Sequence, residues 1–198
     1  MTSFIKRAIA LTAATTMVAA AAHAAPFDAI ERATDAPLTT YEKVYIAPVE
    51  VDFSEHRIRR NLRDTRGFRP VSERDQMSKA EDFAEDLERV FGKKYTLVDA
   101  PGEDVLTIEA TLTKLVSNRP TTADFRNQTG LSFSSLYLGG ADYQVNLIGG
   151  ETLIATIEEK QSQDGNFNDG RPRVAIWADA DYSFNKFSRQ LVHYVQNN

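Results

Sequence analysis

The sequence contains no cysteine among its 198 residues. The chain can therefore form no disulfide, although small exported domains often depend on such crosslinks. The same absence leaves no thiol to carry a lipid, which excludes an acyl anchor on a cysteine at the start of a processed chain. Stability must instead come from buried apolar surface, and the chain is long enough for one domain with a sizeable core.

Positive charge and long apolar runs are also scarce. The net charge is −5 at pH 7, and it becomes −7 if residues 1–24, which include Lys6 and Arg7, are removed. An acidic balance of this kind argues against nucleic acid as a partner. Beyond residue 24 no stretch approaches the ~18 uninterrupted apolar residues of a membrane-spanning helix, so no transmembrane segment is expected after that point.

Residues 1–24 have the pattern of an export signal. Lys6 and Arg7 form a basic start, and residues 8–22 are uncharged and consist largely of small and apolar side chains. The tripeptide Ala22-His23-Ala24 then matches the A-x-A pattern of a signal-peptidase site. The sequence therefore predicts a cleaved signal peptide.

We expect cleavage after Ala24, because a cut one residue later would place Pro26 next to the scissile bond. The mature protein is then expected to be free in a bacterial periplasm, or secreted. Residues 25–40 mix alanine, threonine, aspartate and proline without periodicity, which predicts a linker. Residues 41–198 are predicted to form a single domain.

Hydrophobic periodicity predicts about five strands in this domain. They are expected at residues 43–51, 95–98, 106–113, 141–147 and 152–161, and Gly149-Gly150 joins the last two as a hairpin. Pro48 cannot donate to a ladder, which places it at a strand end or on an edge strand.

Two amphipathic helices are predicted around these strands. The capping box Ser78-Lys79-Ala80-Glu81 starts a helix that runs to Phe91 and can extend back towards Ser72. A second helix is expected over residues 179–195. Its apolar side chains recur every three or four residues and form one stripe: Trp177, Ala180, Phe184, Phe187, Leu191 and Tyr194.

The order of these elements predicts an α+β fold. We expect a mostly antiparallel sheet of about five strands, with an amphipathic helix after the first strand and a C-terminal helix packed on one face.

Several of these stretches resemble a known bacterial envelope family. They are Val44-Tyr45-Ile46-Ala47-Pro48, the turn Pro101-Gly102-Glu103-Asp104 before an alternating strand, the hairpin that starts at Gly139-Gly140-Ala141, and the closing helix led by Trp177. Together they resemble the domain of unknown function 3313 over nearly the whole mature chain. The resemblance implies a small periplasm-facing α/β domain, usually a lipoprotein, although the lipid-bearing cysteine is missing here. The family has no established catalytic residues, so none is transferred.

An arginine-rich segment is the first candidate binding site. The predicted contacts to an anionic partner are Arg57, Arg59, Arg60, Arg63 and Arg66, which are opposed within the run only by Asp64. Guanidinium groups pair well with phosphates and carboxylates, which favours lipid headgroups, lipid A phosphates, a wall polymer or an acidic protein surface. The alternatives are a solvated loop, or internal pairing with the acidic side chains of residues 81–88.

A long segment without clear periodicity, residues 117–140, is the second candidate. Phe125, Phe133 and Tyr137 lie there among serine, threonine and asparagine. These rings either cover one end of the sheet or form a surface for a partner.

Known catalytic and metal-binding patterns fail in this sequence. Residues 164–175 resemble a calcium loop, but Asp169 stands where the loop needs glycine and Ala175 where it needs a bidentate glutamate. Ser132 lies in half of a nucleophile elbow without its closing glycine. We therefore assign no catalytic residue, no metal site and no cofactor.

The sequence favours a non-enzymatic periplasmic protein that binds an envelope protein or an anionic envelope component. Two alternatives remain at this point: a carrier of a small ligand between the sheet and the C-terminal helix, and a hydrolase with an unconventional site.

Overall fold

The computed structural model describes residues 27–53, 71–118, 139–160 and 175–198. Within these ranges the chain forms seven strands, two long helices and one short 3-10 turn. The strands are β1 (Ala29–Arg32), β2 (Lys43–Ile46), β3 (Glu50–Val51), β4 (Thr96–Leu97), β5 (Val105–Val116), β6 (Gly140–Gly149) and β7 (Thr152–Lys160). The helices are α1 (Glu73–Phe91) and α2 (Ala178–Asn197), and the 3-10 turn is Leu38–Thr40.

All seven strands belong to one mixed sheet. Its order is β1-β7-β6-β5-β2-β4, and β3 also pairs with β5. The pairs β1–β7, β7–β6 and β6–β5 are antiparallel, whereas β2–β5, β2–β4 and β3–β5 are parallel. The α+β class and the C-terminal helix are confirmed, but the prediction of a mostly antiparallel sheet of about five strands is wrong. The chain returns from β3 through α1 to β4, and a crossover of this kind produces parallel neighbours.

The predicted strand 43–51 is present but interrupted. Ile46 pairs with Ile108 and Glu50 with Thr111, so four steps along this strand match three steps along β5. One residue is therefore extra, and Pro48, which has no N–H for the ladder, lies in the interruption. The backbone N–H of Ala47 still donates to Ile108 O at 3.0 Å. The prediction that Pro48 marks a strand end agrees with this arrangement.

Residues 27–40, which the sequence suggests are linker, contribute to the sheet and the core. β1 pairs with β7 along its whole length. Phe27 is 4% exposed, and its ring centroid lies 5.1 Å from that of Phe187 and 5.9 Å from that of Tyr194. Leu38 is fully buried, and its N–H donates to Asn198 O at 3.1 Å. Phe27 and Leu38 thus anchor this segment in the core, although they are too far apart in the sequence to form a periodic pattern.

The predicted hairpin of β6 and β7 is confirmed. Gly150 has a φ of 61°, a left-handed conformation that glycine adopts without steric cost. A Cβ on the preceding Gly149 would lie 1.9 Å from Tyr41 Oη. The turn therefore requires glycine at position 150 because of its backbone conformation, and at position 149 because a side chain would collide with Tyr41.

Helix α1 begins earlier than its predicted capping box. Ser72 is the N-cap, and its side chain accepts a hydrogen bond from Asp75 N at 3.2 Å. Ser78 lies inside the helix, so the predicted start there is wrong, whereas the extension back to Ser72 is confirmed. The helix ends at Phe91, as predicted, and Gly92 is its C-cap.

The two helices cover one face of the sheet and enclose an aromatic core. Phe83 of α1 stacks on Phe184 of α2 at a centroid distance of 4.7 Å, and Tyr143 of β6 contacts both Phe83 and Phe187. The Tyr143 hydroxyl donates to Ser183 O at 3.3 Å. Burial, followed by the nearby charge of Glu159, raises the pKa of Tyr143 well above its usual range. The predicted apolar stripe of the C-terminal helix faces this core.

Neither helix in the described ranges is long and apolar enough to traverse a lipid bilayer.

Candidate functional site

The described residues that border segments 54–70, 119–138 and 161–174 gather at one end of the sheet. β5 ends at Val116, which pairs with Gly140 at the start of β6. β7 ends at Lys160, which pairs with Asp142. β3 runs parallel to β5, so it also ends in this direction. We call this end of the domain the loop end.

Both helices start at the loop end. Lys79 of α1 contacts Asp181 of α2, and one turn further along Phe83 stacks on Phe184, so the two helices run in the same direction. The first described residues lie there as well, because Asp28 Oδ2 accepts a hydrogen bond from Lys160 N at 2.6 Å. The partial positive charges of two helix N-termini therefore lie at the same end as the borders of all three segments.

A buried polar cluster joins the borders of segment 119–138 to α2. The Asp179 carboxylate accepts hydrogen bonds from Asn118 Nδ2 and, at 3.0 Å, from Gly139 N. In return Asp179 N donates to Asn118 Oδ1 at 2.9 Å, and Asn118 N donates to Ile176 O at 2.7 Å. A Cβ on Gly139 would lie 2.5 Å from Asn118 Oδ1. One carboxylate thus holds the two borders of the segment together at the helix N-terminus.

Lys79 joins the two helices beside this cluster. Its side chain is 8% exposed, and its Nζ lies 2.7 Å from Asp181 Oδ1 and also contacts Asp82. Burial lowers the pKa of Lys79, but hydrogen bonds to Asp181 and Asp82, together with their charges, outweigh burial and leave this pKa raised above 10.5. The lysine therefore stays charged and acts as a cross-helix ion pair.

An open groove of about 620 Å³ lies between α1 and α2 next to this ion pair. Its lining is acidic except for one arginine and consists of Asp82, Glu85, Asp86, Glu88, Arg89 and Asp181. Arg89 pairs with Asp86 within the lining. In the described ranges, no three histidine, aspartate or glutamate side chains are grouped so that they could hold a metal ion.

The residues predicted to bind a partner lie outside the described residues. Arg57, Arg59, Arg60, Arg63 and Arg66 belong to segment 54–70, and Phe125, Phe133 and Tyr137 belong to segment 119–138. Their roles stay predictions. Ser132 and most of the calcium-like stretch are also outside the described residues. The structure does bring together the described residues on which these segments begin and end.

Sequence reasoning missed the polar cluster and the cross-helix ion pair. In the sequence Asp179 is simply an acid in the first turn of a helix, and Asn118 simply follows a strand, so neither points to the other. The spacing of Asn118, Gly139 and Asp179 carries no local signal, because 61 residues separate the first from the last. Lys79 was considered only as part of a capping box.

A family model described as "Protein of unknown function (DUF3313)" matches residues 19–191. No curated protein matches the sequence. Among solved structures, a PelC dodecamer from Paraburkholderia phytofirmans is 7% identical with a TM-score of 0.39, covering 82% of this chain and 97% of that one. A protein described as a neuraminyllactose-binding hemagglutinin homolog from Helicobacter pylori is 10% identical with a TM-score of 0.31, covering 82% and 84%. Resemblances this weak support no argument about function.

Proposed function

We propose that this chain, which belongs to the DUF3313 family of proteins of unknown function, is exported to the periplasm and binds an anionic component of the cell envelope through its loop end. The family match extends over residues 19–191 and therefore includes all seven strands, α1 and the larger part of α2. The proposed role is binding and not catalysis, because the sequence contains no catalytic motif and the family supplies no catalytic residues.

The observation that supports this proposal is that the described borders of three arginine-containing segments meet at one end of an acidic domain. Segments 54–70, 119–138 and 161–174 contain ten of the fifteen arginines of the chain and none of its lysines. The described ranges contain 23 of the 28 aspartate and glutamate residues. Positive charge is thus concentrated in the segments whose borders meet at the loop end.

Arginine suits the proposed ligand better than lysine does. A guanidinium group offers five donors in a planar fork and can bind a phosphate or carboxylate with two hydrogen bonds. The N-termini of α1 and α2 add partial positive charge at the same end of the domain. We therefore expect phosphate-bearing lipids, including lipid A, to be the preferred component.

The carrier alternative finds less support in the described residues. The space between the sheet and α2 contains the rings of Phe83, Tyr143, Phe184 and Phe187, with centroid distances of 4.7 to 6.0 Å between neighbouring rings. Rings at these distances are in contact, which leaves little room for a ligand among them.

Vesicle sedimentation tests the proposed binding. Mature protein with Arg59, Arg60 and Arg63 changed to serine is compared with wild type on vesicles of phosphatidylglycerol and phosphatidylethanolamine. We expect the variant to bind less, and wild-type binding to fall with added salt, because exposed charge pairs are screened. Vesicles of phosphatidylcholine should bind neither protein.

A matched control removes the same charge elsewhere. Lys93 and Lys94 are exposed just beyond the far end of α1, and Lys186 is exposed on α2. Changing these three residues to serine should leave most of the binding intact. Equal binding by wild type and the arginine variant would exclude the arginine segment as the contact, and equal losses in both variants would show attraction without a defined site.

The compartment is tested separately. Mass spectrometry of the protein from a periplasmic fraction should show a mature chain that begins at Ala25. Full-length protein confined to the cytoplasm would refute export and, with it, an envelope ligand.

A further inference from the structure

The face of the sheet opposite the helices is polar and arranged in cross-strand rows. One row consists of Glu109, Asn146, Thr156 and Glu31, on β5, β6, β7 and β1. Thr156 Oγ1 donates to Asn146 Oδ1 at 3.0 Å in the middle of this row. Adjacent strands lie about 4.8 Å apart, so the two glutamates at the ends are separated by roughly 14 Å. We call this surface the open face.

Unpaired negative charge distinguishes the open face. Glu31, Glu50 and Glu109 are exposed, and none of the three has an ion-pair partner within the part of the chain that the structure describes. Lys160 lies on the same face, but its Nζ pairs with Glu158 at 2.9 Å. These glutamates are spread over three strands and form no compact cluster, so they would attract an extended cationic partner and not a single ion.

The row at the hairpin end of the open face is apolar. It consists of Tyr45, Thr107, Ile148 and Leu153, and Leu153 is 40% exposed. Thr107 is only 5% exposed, and its Oγ1 has no hydrogen-bond partner within the described ranges. The enclosed hydroxyl presents no polar atom at the surface, so this row offers a partner mainly apolar contact, at Tyr45 and Leu153.

We propose that the open face is a docking surface for a basic, amphipathic polypeptide segment of another protein. An apolar side chain of the partner would pack on Leu153 and Tyr45, and its arginine or lysine side chains would pair with Glu109, Glu31 and Glu50. This surface is separate from the loop end. In combination with the proposed function, the protein would bind an anionic component through its arginine segments and a basic polypeptide through the open face of its sheet.

Charge and shape favour a polypeptide over other occupants. The row that ends in Glu109 and Glu31 is acidic, which disfavours anionic lipids and wall polymers as ligands of this face. Gln144, Asn146 and Thr156 in the middle of the sheet can form hydrogen bonds with both the N–H and the C=O groups of a peptide backbone. An apolar row beside an acidic row matches a segment in which apolar and basic residues recur.

Fluorescence anisotropy tests the proposal. The probe is a fluorescein-labelled peptide of alternating leucine and arginine, and a peptide of alternating leucine and glutamate is the negative probe. The variant Glu31→Gln, Glu50→Gln, Glu109→Gln should bind the basic probe about tenfold more weakly than wild type, if each exposed ion pair contributes about a factor of two. Neither protein should bind the acidic probe.

The control variant is Glu81→Gln, Glu85→Gln, Glu88→Gln. It removes the same charge from exposed positions on α1, on the other side of the sheet. It should retain most of the affinity. Equal losses in both variants, or no loss in the first, would overturn the proposal.

Hydrogen exchange of the wild-type protein provides a readout that needs no variant. The probe should slow exchange in β6 and β7 and leave α1 unchanged. Protection confined to α1 would place the partner in the acidic groove and refute docking on the open face. Self-association of the wild type that is lost in the first variant would identify a second copy as the occupant and would also refute the proposal.

Discussion

Replacing Phe27 with alanine tests whether residues 27–40 belong to the core. A linker would tolerate this change with no loss of stability. In the structure the ring is 4% exposed and contacts Phe187 and Tyr194 at centroid distances of 5.1 and 5.9 Å. Truncating a buried phenylalanine costs about 3–5 kcal/mol, and we expect the lower end here because this segment leads into β1 at the edge of the sheet, where the chain can relax. That loss corresponds to a decrease in Tm of roughly 6–12 °C for a domain of this size.

Urea unfolding of the mature chain measures this free energy. Trp177 is the only tryptophan and lies at the start of α2, so its fluorescence reports on the loss of tertiary structure. Asp35→Ala, an exposed change in the same segment, is the control and should alter stability by less than about 0.5 kcal/mol. The double variant Phe27→Ala, Phe187→Ala should show a coupling of about 0.5–1.5 kcal/mol, the value expected for an aromatic pair. A loss below about 1 kcal/mol for Phe27→Ala would refute the packing of this segment.

Two further changes test the loop end. Because the pKa of Lys79 is raised, the contribution of this lysine to stability is complete below pH 10.5 and is lost as the pH rises through the folded-state pKa. The difference in unfolding free energy between wild type and Lys79→Met should therefore stay constant from about pH 7 to 10 and shrink at higher pH. A constant difference across the whole range would contradict the ion pair with Asp181 and Asp82. Gly139→Ala should cost about 1–3 kcal/mol in urea unfolding, because its Cβ would displace Asn118 from Asp179. Gly102→Ala, whose Cβ would lie no closer than 3.3 Å to any neighbouring atom, should cost less, and equal costs would argue against close packing of Gly139 on Asn118.

Elements with a strong local pattern could be predicted from the sequence. The apolar positions of α1, including Phe83 and Leu87, recur at helical spacing and are buried as expected. The glycine pair at 149–150 marked the β6–β7 turn correctly. The predicted start of α1 was too late because Ser78 and Glu81 match the Ser-x-x-Glu capping box, whereas the true N-cap, Ser72, is followed three residues later by Asp75.

The candidate site was less predictable. The arginine segment was found from composition alone, because charge is visible without a fold. The residues that join the borders of segment 119–138, Asn118 and Asp179, are far apart in sequence and were not found. The open face was also invisible, since the alternating polar residues of β5 and β6 indicate only that one face of each strand is polar.

By itself the sequence determined the two long helices, the strands β2 and β4 to β7, and the apolar side of both helices and of β5 and β6, and it predicted an export signal. These properties depend on neighbouring residues, whose side chains repeat with the period of the backbone. Only the tertiary structure decided the parallel pairing of β2 with β4 and β5, the addition of β1 to the edge of the sheet, and the meeting of three segment borders at one end. Such arrangements depend on contacts between residues that are distant in the chain, and the free energy of those contacts is set by packing that no local pattern contains.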